Sequence, residues 1–430
     1  MATDELLDEL HTWLEANWDA DLSMAQWWER LGLSGWAAPT LPTNAFGKGL
    51  SRSDSVRVAN TIATFGAVPA PGGLGMLLAA PTIATHGSQE QIDRLVKDIV
   101  IGQRAWCQLF SEPGAGSDLA GLNAKAMQDG DEWIINGQKV WTSAGQYADL
   151  GMLLARTNPE APKHQGITYF GIEMKQPGIE IRPLREMTGH AMFNEVFLTD
   201  ARVSGAWMIG AQNNGWAVAN TTLMFERSGL SAGGGGAQSL AIAGTIAGHL
   251  DKRAGDFVPK ASGSRQGAAG PRAASFKSLV HYATKNGSIR NPTIRQQLAD
   301  LYTMNEIGRF NNERVKAARI SGKDIPGMAN IGKLSMSNIV RLQRDLGLRI
   351  LGPLGTLHGY TDAQRDALAA ITGDANLAGV TEAALYAQAP PIYGGTDQVQ
   401  RNIIGERVLG LPKEPGNDAK MPFSSLPKNG

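Results

Sequence analysis

The sequence predicts an α+β multidomain chain: a helical N-terminal domain (1–103), a middle antiparallel β-barrel (104–211) and a C-terminal four-helix bundle (212–412). Three observations predict it. Residues 1–103 repeat apolar side chains every three or four positions. Residues 104–211 break into short apolar or alternating runs punctuated by Pro, Gly and Asn. From Gly215 long helical patterns return. Strands that follow one another without intervening helices make an antiparallel barrel or sandwich, not the parallel sheet of a nicotinamide enzyme.

Taken in order, Leu6, Leu7, Leu10 and Leu14 form the stripe of a first amphipathic helix, and Trp27, Trp28 and Leu31 mark a second. A Pro- and Gly-rich loop follows from Pro39 to Gly49. Helices are expected at 53–66, 74–86 and 89–101, the last capped by Ser88. Strands are expected at Leu150–Ala155, Ile167–Glu173, Ile179–Pro183 and Glu195–Leu198. Glu132–Ile135 and Gln138–Trp141 flank Asn136-Gly137, a pair that tolerates positive φ, and so read as a β-hairpin. A helix at about 215–232, the run Gly233–Gly236 and helical sequence to about 251 come next. Residues 252–274 are poor in apolar side chains and read as a flexible insertion. Helices resume at 275–285, 293–320, 329–351 and 376–387, and a disordered tail is expected over 413–430.

Composition excludes several functions. Forty basic and forty acidic residues cancel, so no charge argument favours nucleic acid or an anionic membrane. The single cysteine, Cys107, precludes an internal disulfide framework and fits a reducing compartment. The seven histidines lack metal-ligand spacing, and no apolar run reaches membrane-spanning length. The acidic start, Met1-Ala2-Thr3-Asp4-Glu5, has no signal-peptide character, and the expected location is cytoplasmic.

Two polar knots interrupt the apolar β region. The first is Ser111-Glu112-Pro113-Gly114-Ala115-Gly116-Ser117-Asp118; the second is Trp141-Thr142-Ser143-Ala144-Gly145. Gly114 and Gly116 let backbone approach something flat or anionic. A Rossmann phosphate loop is not a match, since Leu119 stands where its third glycine belongs.

In type, order and spacing these knots resemble the two flavin-lining motifs of the acyl-CoA dehydrogenase family. The α-β-α order extends the resemblance over about 1–411, with a departure at the insertion. It implies FAD as cofactor, with Ser111, Gly116, Ser117, Trp141 and Ser143 at the positions that line its ring. It also implies removal of H2 across the α,β-carbons of an acyl-CoA: a carboxylate takes the α-proton and a hydride passes to flavin N5. Such a base belongs at the edge of an apolar pocket, where burial raises its pKa.

Many family members carry that base in a Tyr-Glu-Gly-Thr motif, but here the stretch is Tyr393-Gly394-Gly395-Thr396. A branch that includes isovaleryl- and long-chain-type enzymes instead places the Glu just before an Arg, on the first helix of the C-terminal domain. Glu226 and Arg227 occupy those positions, and Glu226 lies on the helical stripe of Ala219, Leu223 and Leu230. The resemblance further implies that Ser117, Arg227, Tyr393 and Gly394 meet the substrate. Thr396, Gln398, Gly352 and Gly355 would contact cofactor, partly across a subunit interface. The family's Arg-x-x-Phe-Gly segment is missing; Arg290 is its stand-in.

The implied partners are an acyl-CoA, an electron-transfer flavoprotein and further subunits in a homo- or hetero-tetramer. Two other readings stay open: a catalytically silent subunit of a heteromeric enzyme, favoured by Gly394 and opposed by Glu226, and an oxygen-using flavin oxidase or monooxygenase of the same fold.

Overall fold

The computed structural model describes residues 3–231, 240–258, 274–413 apart from 322 and 324, and 415–427 apart from 417 and 419. The chain forms two units, one of residues 1–184, 192–262 and 416–430 and the other of residues 185–191 and 263–415.

In the first unit, α1 (Thr3–Asn17), α2 (Met24–Leu33) and α3 (Arg52–Phe65) bury the stripes that their spacing predicts. Leu6, Leu10, Leu14, Trp27, Trp28 and Leu31 share one apolar cluster. A π-helical turn (Gly75–Ala79) leads into α4 (Ala80–His86). Then α5 (Gln89–Gln91), a second π turn and α6 (Lys97–Val100) run on as one helical stretch, opened by the Ser88–Gln91 capping box.

The middle of the chain is a curled seven-stranded sheet in the order β1-β4-β2-β3-β7-β6, with β5 on β4. The strands are β1 (Trp106–Leu109), β2 (Lys125–Asp129), β3 (Glu132–Ser143), β4 (Leu150–Arg156), β5 (Ile167–Glu173), β6 (Ile179–Leu184) and β7 (Phe193–Ser204). Most pairings are antiparallel, but β1 runs parallel to β4, with Gln108 opposite Met152. The helix α7 (Gly215–Ser231) belongs to this unit and packs Val218 and Ala219 into a core that also holds Trp106, Phe110 and Tyr169.

The hairpin expectation is corrected. Asn136 and Gly137 lie inside the continuous strand β3, and the turn falls earlier, between β2 and β3, where Gly130 takes φ +61°. Asn136 instead bonds Asp200 on β7: its Nδ2 donates to Oδ1 at 2.9 Å and its Oδ1 accepts from the backbone N at 3.0 Å. Glycine is needed at 137 for proximity, because a Cβ there would lie 2.7 Å from Ala124.

The helix expected to continue to 251 is absent from 240–251. That segment is irregular and buries Ala241, Ala243 and Leu250 against the N-terminal helices. Its Gly244 N donates to the Gly102 carbonyl at 2.9 Å. Residues 252–258 of the proposed insertion are also ordered by packing: Ala254 is buried and its N donates to the Leu22 carbonyl at 2.8 Å. The Gly233–Gly236 run and residues 259–273 lie outside the described residues. The tail is not uniformly disordered either. Phe423 lies under the Arg156 guanidinium at 3.4 Å and its N donates to the Ala161 carbonyl at 3.0 Å.

In the second unit, α8 (Phe276–Lys285), α9 (Pro292–Ile320), α10 (Met328–Leu351) and α12 (Leu377–Tyr386) surround one core that includes Leu279, Leu301, Leu346 and Val380. This is the expected bundle. The helix α11 (Asp362–Thr372), which buries no residue, and the short α13 (Asp397–Ile403) complete it.

Candidate active site

In the first unit the two polar knots lie side by side. The Val140 N–H donates to the Ser111 carbonyl at 2.9 Å, joining the first knot to the residue before Trp141. Glu112, which spans the first turn of the knot, faces inward. Its carboxylate accepts from the backbone amides of Asn123 (2.6 Å) and Ala124 (2.9 Å) and from Lys139 Nζ (2.8 Å). Glu112 and Ala115 exchange backbone hydrogen bonds at 3.0 and 3.1 Å, closing a tight turn that leaves Gly116 and Ser117 exposed.

Trp141 is one of two described non-glycine strand residues with positive φ, Asp200 on β7 (φ +51°) being the other. Trp141 has φ +61°, a region that side chains other than glycine rarely adopt, at a register irregularity between Lys139 and Thr142. The residue is 61% exposed, and its ring meets Phe193 edge-on at 5.9 Å. Beside it the Thr142 hydroxyl is buried with no hydrogen-bond partner. Ser143 is half-buried and pairs with Phe193 in register. Strain, an exposed indole and an orphan hydroxyl occur together at one strand end, which makes it the candidate ligand surface.

Glu226 lies on α7, half-buried, among residues packed on the core with Leu223 and Phe225. Its Oε2 accepts from Gln108 Nε2 at 3.4 Å, and Gln108 is three residues before Ser111. Burial pushes the Glu226 carboxyl above the usual carboxylate range, while the Gln108 hydrogen bond and the Arg227 charge pull it back. Arg227, next on the helix, is exposed.

The remaining candidates belong to the second unit. Thr396 caps α13, accepting from the Val399 N–H at 3.2 Å, and Gln398 is exposed on its first turn. Asp397 between them is buried, bonded to Ser337 (2.7 Å), Lys333 (3.1 Å) and Arg341 (2.9 Å). Burial raises its pKa, but these partners outweigh burial and hold it below the usual range. The Tyr393 and Tyr386 hydroxyls share a hydrogen bond of 2.8 Å. Gly394 has φ +62°, a left-handed conformation that disfavours a Glu there by about 1–2 kcal/mol. Gly352 takes φ +56° at the end of α10, and a Cβ on Gly355 would sit 3.2 Å from the Leu348 carbonyl. Arg290 is exposed in a short 3-10 turn. No cluster of three or more metal-ligating side chains occurs among the described residues.

Models of the acyl-CoA dehydrogenase N-terminal, middle and C-terminal domains match residues 1–103, 107–201 and 265–409. The acyl-CoA dehydrogenase IpdE1 of Mycobacterium tuberculosis is 33% identical over 390 residues, which cover 90% of this chain and 88% of that one. The chain belongs to the acyl-CoA dehydrogenase family. That family consists of flavin-dependent oxidoreductases. FadE34, an acyl-CoA dehydrogenase of the same organism, is 35% identical over 88% of this chain, but the match spans only 44% of its own length. Among solved structures, the ChsE4–ChsE5 complex from Mycobacterium tuberculosis aligns with TM-score 0.65 and 25% identity, covering 96% of this chain and 98% of that one. The Tcur3481–Tcur3483 steroid ACAD shares the fold at TM-score 0.68 and 24% identity, with coverage of 96% and 98%.

Residue patterns did not reveal Gln108, Lys139 or Asp397 as parts of these sites. The available signals were a polar residue inside the apolar run Trp106–Phe110 and a lysine at a buried position of β3. The partners of Asp397 are distant in sequence and left no local signal.

Proposed function

We propose that this protein is an FAD-dependent acyl-CoA dehydrogenase in which Glu226 removes the α-proton of the thioester and the electrons leave to an electron-transfer flavoprotein. The observation that carries this reading is the Glu226 carboxylate: half-buried, with raised proton affinity, and hydrogen-bonded to the strand that leads into Ser111. The residues fit a flavin. The strained, exposed Trp141 offers a flat face, the orphan Thr142 hydroxyl awaits a polar partner, and space is open where a Gly116 Cβ would be. Ser111, Gly116, Ser117, Trp141 and Ser143 would hold the ring.

Bound FAD supplies the two-electron oxidant that accepts the β-hydrogen as hydride. The protein supplies the base. Glu226 must be ionised to accept a carbon-bound proton, and its raised pKa makes it a stronger base once it is. Arg227, Tyr393, Gly394 and Ser117 would meet the acyl-CoA. Thr396, Gln398, Gly352, Gly355 and Arg290 would reach cofactor, partly from a neighbouring subunit, and cytoplasmic location follows as an expectation.

A second reading concerns assembly. The chain spans 44% of FadE34, and ChsE4–ChsE5 is named as a complex of two chains. With Gly394 and the missing Arg-x-x-Phe-Gly segment, this favours a hetero-oligomer whose cofactor sites are shared unequally, and leaves a silent-subunit role as the competing outcome. The experiment purifies the protein alone and co-expressed with a second chain of the same family, then records flavin spectrum, native mass and acceptor reduction with a panel of acyl-CoAs. FAD binding with acyl-CoA-dependent reduction of an electron-transfer flavoprotein is expected. A complete, folded assembly that takes up no FAD would refute the reading, and hydrogen peroxide production in air at the same rate would replace it with an oxidase.

A further inference from the structure

We propose that Gln108 is a positioning residue for the Glu226 carboxylate, holding one oxygen through its side-chain amide and leaving the other to receive the proton. The inference rests on Glu226 being the base. It begins with strand alternation in β1. Trp106 and Phe110 belong to the core that also contains Val218 and Ala219 of α7, whereas Cys107 and Leu109 belong to the core on the other face of the sheet. Gln108 is the middle residue of the α7-facing row. A polar amide in an apolar row is costly unless it is bonded. Gln108 is bonded to Glu226, at 3.4 Å from Nε2 to Oε2.

Both backbones are independently fixed. The strand β1 is held in register on β4, with Gln108 opposite Met152. The helix α7 is anchored one turn before Glu226. There the Thr222 hydroxyl meets those of Thr82 (3.0 Å) and Tyr169 (3.3 Å), and Thr221 meets the His86 ring at 2.8 Å. What remains free is the carboxylate's own rotation, which the amide restrains. A glutamine suits a group that changes protonation, since Nε2 donates to the carboxylate and, after a flip, Oε1 accepts from the acid. Among the described residues, the charged or titratable groups that the contacts place against α7 are Arg227 on the same helix, His86 at the end of α4, Tyr169 on β5 and His164, whose ring meets Trp216 edge-on at 4.9 Å.

The test compares Gln108→Met, nearly isosteric but without the amide, with wild-type holoenzyme. Flavin content and melting should stay close to wild type. Removing the donor disfavours the ionised carboxylate, so the acid limb of anaerobic flavin bleaching by acyl-CoA should move to higher pH. At acid pH the rate should fall on the order of tenfold, and it should recover toward wild type in alkali, with KM little changed. The protonated-carboxyl infrared band that disappears in Glu226→Gln should titrate at higher pH as well, a readout independent of turnover. If Gln108→Met does not fold, Gln108→Glu keeps the size and adds a like charge, which should move the limb upward too. An unshifted limb and infrared titration, in a background where Glu226→Gln abolishes bleaching, would overturn the positioning role. Wild-type bleaching by Glu226→Gln would instead remove the reading beneath it.

Discussion

Lys139, which has no exposed surface, donates to the Glu112 carboxylate at 2.8 Å and to the Phe110 carbonyl at 3.1 Å. This pair ties the Ser-Glu-Pro loop to the strand that carries Trp141, so Glu112 is an internal clamp for the surface proposed to hold flavin. Its energetic consequence is asymmetric, because breaking a buried pair leaves one charge uncompensated. Glu112→Gln or Lys139→Met alone should cost about 3–5 kcal/mol in denaturant unfolding, and the double variant less than the sum. Additive losses would show that the two residues act separately.

Trp141 holds a left-handed backbone conformation that disfavours residues other than glycine by about 1–2 kcal/mol. Trp141→Ala and Trp141→Gly both lose the indole and should both bind flavin weakly. Only glycine relieves φ +61°, so Trp141→Gly should be the more stable of the two by about 1 kcal/mol. Equal stabilities, measured without flavin, would mean that the conformation is not strained.

Much of the fold is legible in the sequence because burial follows local period. The Leu6, Leu10 and Leu14 stripe and the Ser88 cap give the helices directly. Asn136-Gly137 misleads because the same dipeptide that suits a turn also suits a close crossing: Gly137 is required against Ala124, a non-local fact. The helix α11, absent from the expected helices, carries an apolar series (Ala363, Ala367, Leu368, Ile371) and a Thr361–Gln364 capping box, local signals that are legible in the sequence, and it buries none of these residues. In the candidate site, Glu226 is visible through its apolar stripe. Its partner Gln108 becomes visible only once β1 and α7 are brought together.

Asp397 links α13 to α10 by charge, and its pKa is depressed. A depressed carboxylate stabilises the fold above its unfolded pKa of about 3.9, and that contribution is lost as pH falls through the folded value. Asp397→Asn should therefore be clearly less stable than wild type at pH 7, and the gap should close below about pH 4. A gap that does not change with pH would assign the effect to packing.

Glu226 has the opposite sign. Burial raises its pKa, so the group costs nothing below the unfolded value of about 4.3 and penalises the folded state as pH rises through the folded value. Glu226→Gln should melt higher than wild type at pH 8 and equally at pH 4. Lower stability at pH 8 would mean that the carboxylate is a structural ion-pair member.

The most direct measurement is anaerobic bleaching of the flavin by the preferred acyl-CoA in a single turnover, wild type against Glu226→Gln. The substitution is nearly isosteric and should leave FAD content intact. It removes the positioned base, so bleaching should slow on the order of 10²–10⁴-fold. Bleaching at the wild-type rate would place the proton acceptor elsewhere and contradict the mechanism.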